Sequence, residues 1–162
     1  MRPSELRIVT ALRSMHAFQN LDALHLHKLA SIARATKFEE GEIIYRPGDV
    51  GQAIYLIQTG KIAVEMELVD YGSVRLFTLG PGQLFGWSSL FPTRRKHARA
   101  RVLQPAQIIV INASQLRHLF RQDHEFERDI MNCMTEAVVD RVRGARLELA
   151  KTMAAEPEQT ND

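Results

Sequence analysis

One cysteine, one tryptophan and no long apolar run limit what this 162-residue chain can be. With Cys133 alone, an internal disulfide and a cysteine-cluster zinc site are both excluded. No stretch approaches the roughly 20 apolar residues of a membrane-spanning helix, and the opening "MRPSELRIVTALRSMH" lacks the basic start and unbroken apolar block of a secretory signal. The sequence therefore reads as a cytoplasmic chain with no membrane partner. Net charge is only +2, too mild to signal nucleic acid by itself. Catalytic patterns are missing too. His16, His25, His27, His97, His118 and His124 contain no HExxH or comparable metal spacing, and His25 and His27 diverge on a helix. Ser88 and Ser89 lack a GxSxG elbow, and no base completes a triad, so neither an enzyme nor a metal site is expected. Asp49 belongs to a turn and is explained by local backbone hydrogen bonds.

What is present suffices for one domain, since 45% of the residues are hydrophobic. Residues 1–36 read as helical. Leu6, Val9 and Leu12 share a face of the first helix, and Asp22 caps a second whose inner stripe is Leu26, Leu29 and Ala33. Over 37–112 the period changes to short β-branched and aromatic runs, "IIY", "AIYLIQ", "KIAVEMELV", "VRLFTL" and "AQIIVI", cut by glycines. Short strands at close intervals without intervening helices indicate a mainly β fold, a jelly roll, flanked by helices. Residues 113–155 return to helical period, with Asn112 as a cap and one long closing helix before Pro157. Residues 156–162 read as a disordered tail. Along the long helix, Met131, Met134, Val138, Val142, Ala145 and Leu149 recur in steps of three and four, which fits pairing with a second copy or packing on its own domain. Cys133 lies near that stripe as a buried, inert thiol, and Gly144 marks a close helix crossing or a weak point.

Two segments carry a resemblance. "FEEGEIIYRPGDVGQAIYLIQTGKIAV" sets Gly41 before a strand, Pro47-Gly48-Asp49 at a turn, then Gly51, Tyr55, Ile57 and Gly60, and "LGPGQLFGWSSLF" follows in order. In this arrangement the chain resembles the cyclic nucleotide-binding domain, the sensor module of the catabolite activator and fumarate-nitrate regulator superfamily and of nucleotide-gated kinases and channels. The likeness covers residues 12 to about 150 and implies a double-stranded β-helix with a phosphate-binding cassette at 80–101. The residues alone give the cassette a task. If Gly86 to Leu90 turns helically, its unpaired amides form an anion nest, although a jelly roll needs such turns in any case.

The sequence departs from the family's binding pattern. The resemblance implies a glutamate after the cassette glycine, for the ribose hydroxyl, and an arginine followed by a small hydroxyl residue for the cyclic phosphate. Here Trp87 follows Gly86, Lys96 stands at the arginine position and His97 at the hydroxyl position, with Arg95 or Arg99 as alternatives in "RRKHARAR". An indole cannot accept the ribose bond, a loss of about 1.5–3 kcal/mol unless Ser88 or Ser89 substitutes. Lysine keeps the charge but not the planar fork. Two readings stay open. In one, Gly86, Trp87, Ser88, Ser89, Lys96, His97 and Arg99 form a retuned pocket for cyclic AMP (cAMP), cyclic GMP (cGMP) or another small phosphorylated ligand. In the other, Trp87 fills the pocket and the domain is a ligand-independent dimerisation or docking module. Arg94 and Arg95 read as an exposed turn, with Arg99 and Arg101 alternating against Ala98 and Ala100.

The resemblance also implies an output. Superfamily transcription factors carry a helix-turn-helix after the long helix, and the sequence shows none before Asp162, so direct DNA binding is not expected. The expected output is a homodimer through the long helix and a protein partner that the sequence does not identify.

Overall fold

The computed structural model describes residues 2–91 and 95–155. Helix α1 spans Pro3–Ser14, a 3₁₀ turn covers His16–Phe18 and α2 spans Ala23–Ser31. Strands follow at Ala33–Phe38 (β1), Ile43–Tyr45 (β2), Ala53–Leu68 (β3), Gly72–Leu79 (β4) and Leu84–Phe85 (β5). After a 3₁₀ turn at Trp87–Leu90 come β6 (Arg99–Asn112), α3 (Ala113–Gln122) and α4 (His124–Ala155). The strands run in the order β1-β6-β3-β4, with β2 on β6 and β5 on β3, all antiparallel. This is the jelly-roll arrangement the alternating runs predict, flanked by helices at both ends of the chain.

Long β3 and β6 are the spine of the sheet. The sequence divides β3 into two runs at Gly60, but the structure makes one strand of them. Gly60 has φ +95°, and a Cβ there would lie 2.6 Å from the Ala106 Cα. Only glycine lets the strand pass so close to its neighbour, and the register shifts at Thr59 and Lys61 absorb the distortion as a bulge.

The N-terminal boundaries also move. Helix α2 ends at Ser31, and Ala33 is already paired with Ile111, so the sheet begins before Lys37. Antiparallel pairing along the whole of β1 outweighs the helical period into which Ala33 falls. In α1 the buried residues are Ile8 and Leu12, while Leu6 is exposed. The four-residue step from Ile8 to Leu12, continued by Met15 and Phe18, selects that face.

Two apolar cores result. One, inside the roll, contains Ile57, Ile62, Leu79, Phe85, Val102 and Ile108. The other joins the outer face of the sheet to the helices through Leu12, Leu26, Leu29, Ile54, Phe126 and Ile130. Asp22 caps α2 as expected, accepting from Leu24 N at 2.7 Å, and Asn112 caps α3 by accepting from Gln115 N at 2.9 Å. The stripe proposed for α4 is split. Met134 is buried in the domain's own helical core and Met131 packs against it, Val138 is half-buried, and Val142, Ala145 and Leu149 are exposed. Cys133 is half-buried, and burial pushes its thiol up to about 11, as an inert cysteine requires. The expected tail at 156–162 and Arg94 lie outside the described residues.

Candidate functional site

The site is built around one turn. Gly86 leaves β5 in the left-handed region, φ +83°, and a Cβ there would meet Tyr55 Cδ2 at 2.8 Å. No other residue reverses the chain at this place without strain. The turn that follows, Trp87–Leu90, sends Ser89 fully inward, where its Oγ donates to the Ala53 carbonyl at 2.9 Å. Arg117 of α3 donates to the Ser89 carbonyl at 2.6 Å, tying the turn to the helices.

Lys96 completes the arrangement from the far side. Its backbone joins the Pro47-Gly48-Asp49 turn, with Gly48 N donating to Lys96 O at 2.8 Å and Lys96 N to Asp49 O at 2.9 Å. Its Nζ donates to Gly86 O at 3.0 Å, Ser88 Oγ at 3.0 Å and Ser89 Oγ at 3.1 Å. The ammonium also lies 4.6 Å from the centroid of the Tyr45 ring. Lys96 is 5% exposed, and among the described residues no carboxylate pairs with it. Burial without a counter-ion lowers its pKa to about 8.

Beside this ammonium lies an open cavity of about 300 Å³ lined by Ile44, Tyr45, Asp49, Val50, Gly51, Gln52, Tyr55 and Lys96. Tyr55 stacks on Phe85 at 4.9 Å, and Tyr45 leans on both rings. Burial pushes the Tyr45 hydroxyl up to about 12 and raises that of Tyr55, so both stay protonated and able to donate. Asp49 lines the same cavity while its Oδ2 accepts from Arg46 N at 2.9 Å, the local turn bond expected of it. The cavity thus offers an anion one buried cation and two phenols, with Asp49 and Gln52 as acceptors for neighbouring hydroxyls.

Gly86, Ser88, Ser89 and Lys96 therefore come together, and the other candidates do not. Trp87 turns to the opposite side, packs against the helical core, and lines an apolar groove of about 240 Å³ with Leu90, Phe91, Met131, Met134 and Val138. It neither faces nor fills the cavity beside Lys96, because Ser89, not Trp87, is the residue of this 3₁₀ turn that is buried inward. His97 is exposed. Arg95, also exposed, donates to Gly48 O at 2.9 Å. Arg99 and Arg101 share a face as expected and converge on Glu65, with Arg101 gripping both carboxylate oxygens at 2.8 and 3.1 Å. That bond to Arg101 holds the Glu65 carboxyl below its ordinary range. Arg99 is thereby committed to the sheet surface, away from the cassette.

Sequence reasoning did not single out Tyr45, Gln52 or Arg141. Tyr45 reads as an ordinary strand aromatic, and nothing in the α4 pattern distinguishes Arg141 from its charged neighbours. Yet the Arg141 guanidinium stands 4.6 Å from the Trp87 ring and 5.6 Å from that of Phe77, and donates to the Leu84 carbonyl.

The fold, a jelly roll flanked by N-terminal helices and a long closing helix, defines the class: a regulatory or sensor module. The profile of the cyclic nucleotide-binding domain matches residues 35–123, more than half of the chain, and the chain belongs to that family. It is 32% identical over 87 residues to the cyclic AMP receptor protein of Thermus thermophilus, covering 54% of this chain and 37% of that protein. It is 30% identical over 125 residues to the human cyclic nucleotide-gated channel alpha-3, covering 77% of this chain and 16% of the channel subunit. The chain thus spans well under half the length of these curated relatives. A cyclic nucleotide-binding domain from Methylobacillus flagellatus KT has the same fold, with a TM-score of 0.77 at 16% identity over 96% of this chain and 86% of that one. The chain is a non-catalytic regulatory domain of the cyclic nucleotide-binding type. Among the described residues no group of three or more His, Cys, Asp or Glu side chains is placed to hold a metal ion, and no helix is long and apolar enough to cross a membrane.

Proposed function

We propose that this domain is a cytoplasmic sensor whose cassette takes the phosphate of cAMP, cGMP or another small phosphorylated ligand on Lys96, and whose response passes through α4 to a second copy and a protein partner. The observation that carries this reading is the buried Lys96 ammonium, held by neutral oxygens alone at the edge of a polar cavity. A cation desolvated without a counter-ion is a site in deficit, and an incoming anion supplies what it lacks. Ser88 and Ser89 hold the ammonium in place by accepting from it, and the Ser89 hydroxyl is itself anchored by donating to the Ala53 carbonyl. Asp49 is the acceptor available for a ribose hydroxyl, the role that Trp87 cannot fill.

Calorimetric titration of cAMP and then cGMP into nucleotide-free protein tests the reading. Saturable binding in the micromolar range that Lys96→Met weakens at least tenfold is expected. No heat and no thermal shift at millimolar nucleotide would remove the second-messenger assignment. A ligand-independent docking module then becomes the better account. One observation favours that second reading: three oxygens of the protein itself accept from the Lys96 ammonium, one for each of its donor positions.

A further inference from the structure

Helix α4 stays with its domain only as far as Arg141. Phe126, Ile130 and Met134 are buried, Val138 is half-buried, Arg141 is partly covered, and every residue from 142 to 155 is exposed. The last side chain that fastens the helix to the roll is therefore a cation, not an apolar residue. Its guanidinium contacts Phe77 on β4 and Trp87 in the cassette turn, and donates to the Leu84 carbonyl on β5. Guanidinium is weakly hydrated and planar, which suits it to lie against aromatic rings.

This fastening is imperfect in a specific way. Arg141 Nε is buried and has no hydrogen-bond partner among the described residues. Burial also pulls the Arg141 pKa down to about 10, still charged at neutral pH, so a full positive charge is held where hydration has been lost. Ring contacts and one carbonyl bond stabilise the closed position, and an unmade hydrogen bond with lost hydration opposes it. Attraction and lost hydration thus act against each other at this one side chain.

Those partners are the cassette itself. Leu84, Gly86 and Trp87 belong to one four-residue segment, and the Gly86 carbonyl between the two Arg141 contacts receives Lys96 Nζ. We propose that Arg141 is a latch that fastens α4 to residues 84–87, so that drawing Lys96 away from Gly86 shifts this segment and frees the outer half of the helix. The link to a ligand rests on the function proposed above. The latch itself does not, and it is testable without any ligand.

Trp87 is the only tryptophan in the chain, so its fluorescence reports the latch directly. Tryptophan emission, acrylamide quenching and amide hydrogen exchange are compared for the unaltered protein, Arg141→Gln and Arg141→Lys. In Arg141→Gln the emission moves to longer wavelength and quenching increases. Exchange across 139–155 accelerates about tenfold while 124–134 and strands β3 and β6 keep their protection. Arg141→Lys, which retains charge but not the planar stack, falls between. Unchanged emission and exchange in Arg141→Gln would overturn the latch, as would acceleration spread evenly over β3 and β6. If the latch behaves as expected but cAMP, cGMP and inorganic phosphate all leave Trp87 emission unaltered, the ligand assignment fails and the latch stands.

Discussion

Lys96 shows how much one side chain can decide. Its ammonium has lost water and gained only neutral acceptors, which is why its pKa falls to about 8 from the usual lysine value. The folded state binds this proton less tightly than the unfolded chain does, so the lysine's effect on stability becomes more favourable as pH rises from about 8 towards 10.5. Anion affinity runs the other way, because the charged form is the one that binds. Calorimetric titration at several pH values is expected to show affinity level below pH 8 and falling by about tenfold per pH unit above it. A flat profile to pH 9.5 would mean that Lys96 does not hold the anion. Gly86 sets the same site from the backbone. Gly86→Ala forces a side chain to φ +83° and against Tyr55, and is expected to cost about 1–3 kcal/mol in urea unfolding. At this scale the sequence is legible where chemistry is tied to position, as in the caps Asp22 and Asn112. It was not legible for Trp87, since nothing in "GWSSL" says which of the turn residues faces inward.

Elements are fixed by what they bury together. Helix α4 begins one residue after α3, and Asp123 between them accepts from Phe126 N at 3.0 Å and pairs with Lys28 of α2. His25 of α2 meets Asp129 at 2.9 Å and stands edge-on to the fully buried Phe126 ring. Phe126→Ala removes the centre of this junction and is expected to cost about 3–5 kcal/mol, read as a lower urea midpoint. The acid limb of stability belongs here too. The hydrogen bond from Lys28 and the Phe126 amide hold the Asp123 carboxyl at about 2, below its ordinary 3.8. Its contribution is present above pH 3.8 and disappears as pH falls towards 2, so Asp123→Asn should flatten the acid-unfolding curve in that window. The jelly roll was legible because alternation and turn glycines repeat along β2 to β6. The junction was not, because His25 and Asp129 are 104 residues apart and no local pattern joins them. The same limit explains Ala33, which follows the helical period locally but is claimed by its pairing with Ile111.

For the molecule as a whole, the outer half of α4 poses the remaining question. Val138, Val142, Ala145 and Leu149 repeat in steps of four, three and four, the spacing of a two-helix seam, and all but Val138 are exposed in the single chain. Val142 is 46% and Leu149 60% exposed, and Val139, Leu147 and Met153 are exposed beside them. Among the described residues this length of apolar stripe has no partner, whereas the inner half, through Met134, does. A second copy of α4 would cover it and make the helix both the seam of a homodimer and the part that Arg141 holds or frees. Sedimentation equilibrium at micromolar concentration should therefore give a mass twice the 18.4 kDa of the chain. Val142→Asp combined with Leu149→Asp should give monomer whose roll keeps its native circular dichroism, because neither side chain belongs to either core. A protein that sediments as a monomer before any substitution would sink the dimer seam and leave this face to a different protein. In that case Arg141→Gln should still loosen 139–155, since the latch joins α4 to the cassette within one chain.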